Sequence, residues 1–240
     1  MNAGSVPQVN VQGANFTVSA YHPVFAAAAP GKAFKDFQSP LVLDLNRNGK
    51  LDLIDVWNEK YTVRFDLEGI QKPVRTGWVA PGDGLLALDV NNNGLIDSGR
   101  ELFGEHSFDY IKKGSSLRSF DDGFIALAQL DSNGDGMIDR RDSIFSKLLI
   151  WNDLNSDGIS QRQELASLKD YHIKSLSLRA IAVSKHYGKI IDNNLVKLLS
   201  EYQTEDGKSW AVGDVWFKTR RYTDGFMVQE ISGSKEKSAF

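Results

Sequence analysis

Between Asp44 and Glu164 the chain repeats one arrangement of oxygen-bearing residues four times. The runs are Asp44-Leu-Asn46-Arg-Asn48-Gly49, Asp89-Val-Asn91-Asn-Asn93-Gly94, Asp131-Ser-Asn133-Gly-Asp135-Gly136 and Asp153-Leu-Asn155-Ser-Asp157-Gly158. Each carries side-chain oxygens at positions 1, 3 and 5 and glycine at position 6. A hard cation such as calcium takes about six to eight oxygens, from a loop that turns sharply at its sixth residue. Asn/Asp/Gly runs also form turns that hold nothing. Four of them within 121 residues make calcium, at up to four ions, the reading that accounts for all.

The rest of each loop completes a ligand set. Loop one adds the Lys50 carbonyl at position 7, Asp52 at position 9 and Asp55 at position 12. Loop two adds the Leu95 carbonyl and Asp97; Arg100 at position 12 cannot ligate, so the loop is expected to close one residue late, at Glu101. Loop three has the Met137 carbonyl, apolar Ile138 at position 8, Asp139 and Asp142. With four carboxylates it is expected to bind most tightly. Loop four has the Ile159 carbonyl, Gln161 and Glu164. Its Ser160 stands at position 8, where an apolar residue normally packs, so a short β contact to a neighbouring loop is not expected. A fifth run, Asp66-Leu-Glu68-Gly69-Ile70-Gln71, lacks an oxygen at position 5 and glycine at position 6 and reads as a turn without metal.

Composition narrows the alternatives. The 240 residues carry a net charge of −3, which gives no basic field for nucleic acid. There is no cysteine, so disulfides, thiolate zinc sites and cysteine catalysis are excluded. No apolar run reaches the length of a membrane span, and Val24 to Ala29 lacks the basic flank of a signal peptide. His22, His106, His172 and His186 fall at no ligand spacing. Thirteen of the 31 carboxylates already belong to the loops, where a cation lowers a carboxyl pKa instead of raising it for acid catalysis.

Strand-like alternation runs into three of the loops, at Leu41–Leu45, Leu85–Leu88 and Leu148–Trp151. Phe124, Leu127, Ala128 and Leu130 predict a helix before loop three, and further helices are expected over Arg141–Leu149 and Gln163–Lys169. Tyr202 to Trp210 reads as a hairpin around Asp206-Gly207. The expected fold is α+β: short strands and helices organised around EF-hand-like calcium loops, with a C-terminal antiparallel β region. The expected division is a flexible arm over 1–38, a calcium-loop domain over 39–172 and a β-rich part over 173–240 packing on it.

Ser39-Pro-Leu-Val-Leu-Asp-Leu-Asn46, Thr76-Gly-Trp-Val79, Asp83-Gly-Leu-Leu86, Gly99-Arg-Glu-Leu-Phe-Gly104, Gly123-Phe-Ile-Ala-Leu127, Trp151-Asn-Asp-Leu-Asn-Ser-Asp-Gly-Ile-Ser160 and Asp214-Val-Trp-Phe217 occur in order. This series resembles a calcium-binding module of the large hemolysin-type (RTX) secreted proteins of Gram-negative bacteria. The resemblance implies an extracellular or cell-surface location, reached by a non-Sec, type I-like route. It fixes no substrate or partner, so another protein and a cell-surface ligand both stay open; the loops themselves, whose carboxylates repel until a cation arrives, lead us to expect a non-enzymatic module whose folding depends on calcium. Two rivals stay open: a calcium-dependent self-processing or toxin-type enzyme, and a calcium-dependent adhesion or docking module. Related modules cleave themselves at an Asp-Pro bond, and this chain has no Asp-Pro dipeptide.

Overall fold

The computed structural model describes residues 9–11, 14–16, 37–107, 120–183 and 188–220. Two short strands, β1 (Val9–Val11) and β2 (Ala14–Phe16), pair with each other. Apart from these strands and Phe37–Gln38, the expected arm lies outside the described residues. The body is built from β3 (Phe37–Gln38), β4 (Leu41–Leu43), β5 (Leu53–Ile54), β6 (Arg64–Phe65), β7 (Val74–Thr76), β8 (Trp78–Val79) and β9 (Gly84–Ala87). It continues with α1 (Gly123–Ala128), β10 (Met137–Asp139), β11 (Leu149–Trp151), β12 (Leu165–Ser167) and β13 (Ile173–Ser177). Last come β14 (Ile181–Ala182), β15 (Lys189–Ile191), β16 (Asn194–Thr204) and β17 (Ser209–Arg220).

Thirteen of these strands form one sheet, with the central order β10-β13-β16-β17-β4-β9-β11-β12 and every ladder antiparallel. Both faces of its middle are covered. Leu41 and Leu43 of β4, Leu86 of β9, Ile150 of β11 and Val212 of β17 belong to one apolar cluster. Their neighbours Val42, Leu85, Ala87, Trp151, Ala211 and Val215 belong to the other. Unbroken apolar runs such as Leu-Val-Leu are what a strand buried on both faces requires. Phe65, Trp151 and Phe217 pack around Trp78 at ring-centroid distances of 5.2–5.4 Å. Gly84 is required where β9 enters the sheet, because a Cβ there would come within 2.6 Å of Leu45 Cδ1 and 2.8 Å of Ile150 Cγ2.

The α+β expectation is corrected: the fold is mostly β, with one six-residue α-helix among the described residues. Asp122 caps that helix by accepting the Ile125 N–H at 2.8 Å. The helix expected over 141–149 shrinks to a single 3-10 turn, Phe145–Lys147, followed at once by β11. The helix expected over 163–169 becomes the turn Arg162–Glu164 and then β12. Short segments make poor isolated helices, and a strand claims part of each: Leu149 pairs with Ala87 and Ser167, and Leu165–Ser167 pair with β11. Residues 195–202, of undecided type from sequence alone, lie in β16, paired with β17 on one side and with β13, β14 and β15 on the other. The β16–β17 hairpin turns at Asp206-Gly207, with Gln203 opposite Ser209. The sheet crosses residue 172 without interruption, since β13 pairs with β10 and β17 pairs with β4.

Candidate functional site

Three of the four acidic loops leave the sheet directly from its buried strands: loop one after β4, loop two after β9 and loop four after β11. Loop three follows α1. All four share one hydrogen-bonding scheme. The carboxylate at position 1 accepts the N–H of position 6: Gly49 to Asp44 at 2.8 Å, Gly94 to Asp89 at 2.8 Å, Gly136 to Asp131 at 2.9 Å and Gly158 to Asp153 at 2.8 Å. The side-chain oxygen at position 3 accepts the N–H of position 5, for Asn46, Asn91, Asn133 and Asn155. Asn48, Asn93, Asp135 and Asp157 at position 5 accept the N–H of position 7. Positions 4 and 6 lie in the left-handed region, with φ from 55° to 82°. That is why glycine recurs at position 6.

The closing residue identifies itself by a second pattern. Glu101 accepts the N–H groups of Val90 (3.2 Å) and Asp97 (2.9 Å), positions 2 and 9 of loop two. Asp142 does the same for Ser132 and Asp139 in loop three, and Glu164 for Leu154 and Gln161 in loop four. In loop one the residue in this role is Asp83, which accepts Leu45 N–H at 3.1 Å and Asp52 N–H at 2.8 Å. Asp55, expected there from spacing, lies elsewhere: its carboxylate accepts Trp57 N–H and the Asn193 side-chain amide. The antiparallel register explains the substitution. Val42 pairs with Leu85 and Leu43 with Gly84, so the next position along brings Asp83 to Asp44. The available signal was Asp83 itself, a carboxylate just ahead of an apolar strand, but its partner is 39 residues back in the chain.

Burial sets the electrostatics. Asp44, Asp83 and Asp153 are fully buried. Burial pushes the Asp44, Glu101 and Asp153 carboxyls above their ordinary value. It pushes Asp83 up to about 7, with the nearby Asp44 and Asp52 adding to the effect. Loop three is different. Burial raises Asp142, but the Asp139 and Ser132 N–H groups and the Ser132 hydroxyl outweigh it, so its carboxyl falls below the ordinary value. Arg141 holds Asp139 low by hydrogen bonding and charge, and also contacts Asp135 at 2.6 Å. The loop richest in carboxylates thus already has a cation of its own.

Elsewhere the inward oxygens are met by side-chain amides. Asn46 and Asn48 donate to Asp52, Asn93 to Asp97, and Asn155 and Gln161 to Asp157. Among the described residues no three His, Asp or Glu side chains gather into a metal cluster. The candidate donor set in the loops is entirely oxygen, ten of its 24 groups coming from Asn side chains and the main-chain carbonyls of Lys50, Leu95, Met137 and Ile159. Such a set fits a hard cation. The fifth run keeps the same backbone: Asp66 accepts the N–H groups of Ile70 and Gln71, and Gly69 and Gln71 have φ of 65° and 62°. Its positions 9 and 12 are Val74 and Gly77, which offer no carboxylate.

Loops two and four touch. Ser160 Oγ accepts the Ile96 N–H at 2.7 Å, a side-chain contact in place of a β ladder. The Trp78 indole N–H donates to Asp153 at 2.8 Å, which ties loop four to the aromatic core.

Comparison with known proteins agrees with the extent of this unit. An iron-regulated protein, FrpA, of Neisseria meningitidis serogroup C is 43% identical over 201 residues. The match takes in 83% of this chain and 17% of that protein, so the chain spans about a sixth of its relative's length. The family model described as the SPM domain matches residues 41–218, from the first buried strand to the end of the long hairpin. The chain belongs to the SPM domain family.

Proposed function

We propose that this chain is a calcium-binding module whose fold tightens when its loops are filled. One observation carries the reading: four loops of different sequence share a single hydrogen-bonding scheme, each ending in a carboxylate that spans positions 2 and 9. Asp44, Asn46, Asn48, Asp52 and Asp83 would hold an ion in loop one; Asp89, Asn91, Asn93, Asp97 and Glu101 in loop two. Asp131, Asn133, Asp135, Asp139 and Asp142 would do so in loop three, and Asp153, Asn155, Asp157, Gln161 and Glu164 in loop four. The position-7 carbonyls complete each set.

A bound cation supplies the positive charge that buried carboxylates such as Asp83 and Asp153 lack. The residues themselves orient the oxygens: the position-6 N–H pins the first carboxylate, and the closing carboxylate holds the two ends of the loop together. Because β4, β9 and β11 feed straight into loops, ordering the loops orders the middle of the sheet. With no cysteine to staple the chain, metal linkage is the available means of stiffening it in a calcium-rich medium. This suits a segment of a longer exported protein, outside the cell or on its surface, acting on another protein or a cell-surface ligand.

Thermal unfolding with and without chelator is the test. Excess EGTA is expected to lower the melting temperature by many degrees, and an unchanged melt would refute the reading. Since the 240 residues hold no Asp-Pro dipeptide, the mass after calcium addition is expected to stay at 26.7 kDa.

A further inference from the structure

We infer that loops two and four act as one coupled pair, with Ser160 as the positioning residue between them. The inference rests on the calcium reading of both loops. Ile96 and Ser160 each occupy position 8, between the position-7 carbonyl and the position-9 side chain of their own loop. The 2.7 Å hydrogen bond from Ile96 N–H to Ser160 Oγ therefore joins the middle of one ligand run to the middle of the other. Both residues are buried, Ile96 at 1% exposure and Ser160 at 5%, so water does not compete for the bond.

A second proximity runs the same way. The Arg162 guanidinium stands beside Gly94, where a Cβ would lie at an ordinary packing distance of 3.5 Å from Nη2. Arg162 belongs to the turn that carries Glu164, the closing carboxylate of loop four, and Gly94 is the sixth residue of loop two. The backbones that precede the loops are joined as well, β9 to β11 through the pairs Leu85–Trp151, Leu86–Ile150 and Ala87–Leu149. Ordering one loop fixes its side of the Ile96–Ser160 bond above strands that are already paired, so the second ion meets a loop that has already lost part of its freedom.

Loop four has its own reporter. The Trp78 indole N–H donates to Asp153, the first residue of that loop, and its NMR resonance follows occupancy there during a calcium titration. In Asp89→Asn, which damages loop two, the midpoint at Trp78 is expected to move to higher calcium by about fivefold or more. Ser160→Ala is expected to move it similarly with every carboxylate intact, and Ser160→Thr, which keeps the hydroxyl, to restore it. If Asp89→Asn binds one ion fewer by calorimetry while the Trp78 midpoint stays put, the loops are independent and the coupling is refuted, with the calcium reading left standing. If neither Asp89→Asn nor Asp153→Asn changes the ion count, the calcium reading is wrong and the coupling falls with it.

Discussion

Replacing Asp83 by Asn separates the closing residue of loop one from the residue that spacing alone would choose. Asp83 is fully buried and its carboxyl is pushed up to about 7. At pH 8 without calcium, keeping it ionised costs on the order of 4 kcal/mol at most. Asn removes that cost but offers one acceptor oxygen to two donors, the Leu45 and Asp52 N–H groups. Leaving one of them unpaired costs about 1–3 kcal/mol. The calcium-free protein should therefore melt at the same temperature as wild type or slightly higher. With calcium at a hundredfold excess over its Kd, an intact site contributes about 2.7 kcal/mol. For a chain of this size that is about 5–11 °C in Tm, which Asp83→Asn should forfeit. The variant thus changes sign between EGTA and calcium, and calorimetry should count one ion fewer. Asp55→Asn should leave the count unchanged, because Asp55 serves Trp57 and Asn193. The reasoning is refuted if Asp55→Asn loses an ion and Asp83→Asn does not.

Three further outcomes are expected. Arg141→Ala frees Asp135 and Asp139 and should tighten calcium binding at loop three by about 2- to 5-fold in low salt, the worth of exposed ion pairs; a titration of the single variant reads it. Burial raises Glu105 to about 7 and Asp214 to about 6, against ordinary values of 4.5 and 3.8. The folded chain thus holds protons that the unfolded chain releases, so calcium-free Tm should fall as pH rises from about 5 to about 7.5, and Glu105→Gln should make that fall shallower. Gln71 sits at φ 62° in the fifth loop, so Gln71→Gly should add about 0.5–1 kcal/mol without adding an ion, as measured by denaturant titration and calorimetry.

The loops were legible because their determinants are local. Asx-type hydrogen bonds reach only two to five residues, and a glycine at position 6 is needed for a backbone φ that the loop itself imposes. The late closure of loop two at Glu101 was also readable, since Arg100 at the regular position carries the wrong charge. What failed was settled by contacts beyond the repeated oxygen pattern of each loop. Residues 141–149 and 163–169 have enough apolar residues for helices, but each keeps a single 3-10 turn before a strand that claims Leu149 in the first and residues 165–167 in the second. Loop three reads as the strongest site from its carboxylate count, yet Arg141 folds back onto two of them. Ser160 reads as a missing apolar contact, whereas its hydroxyl makes a different one.

By itself the sequence determined where side-chain oxygens cluster, how each loop turns, and that strands, not helices, lead into three of the four. Those are properties of six to thirteen consecutive residues. Only the tertiary structure decided which carboxylate closes loop one and which loops touch. The reason is register. One antiparallel pairing brings Asp83 to Asp44 from 39 residues away, and no periodicity in the chain records that alignment.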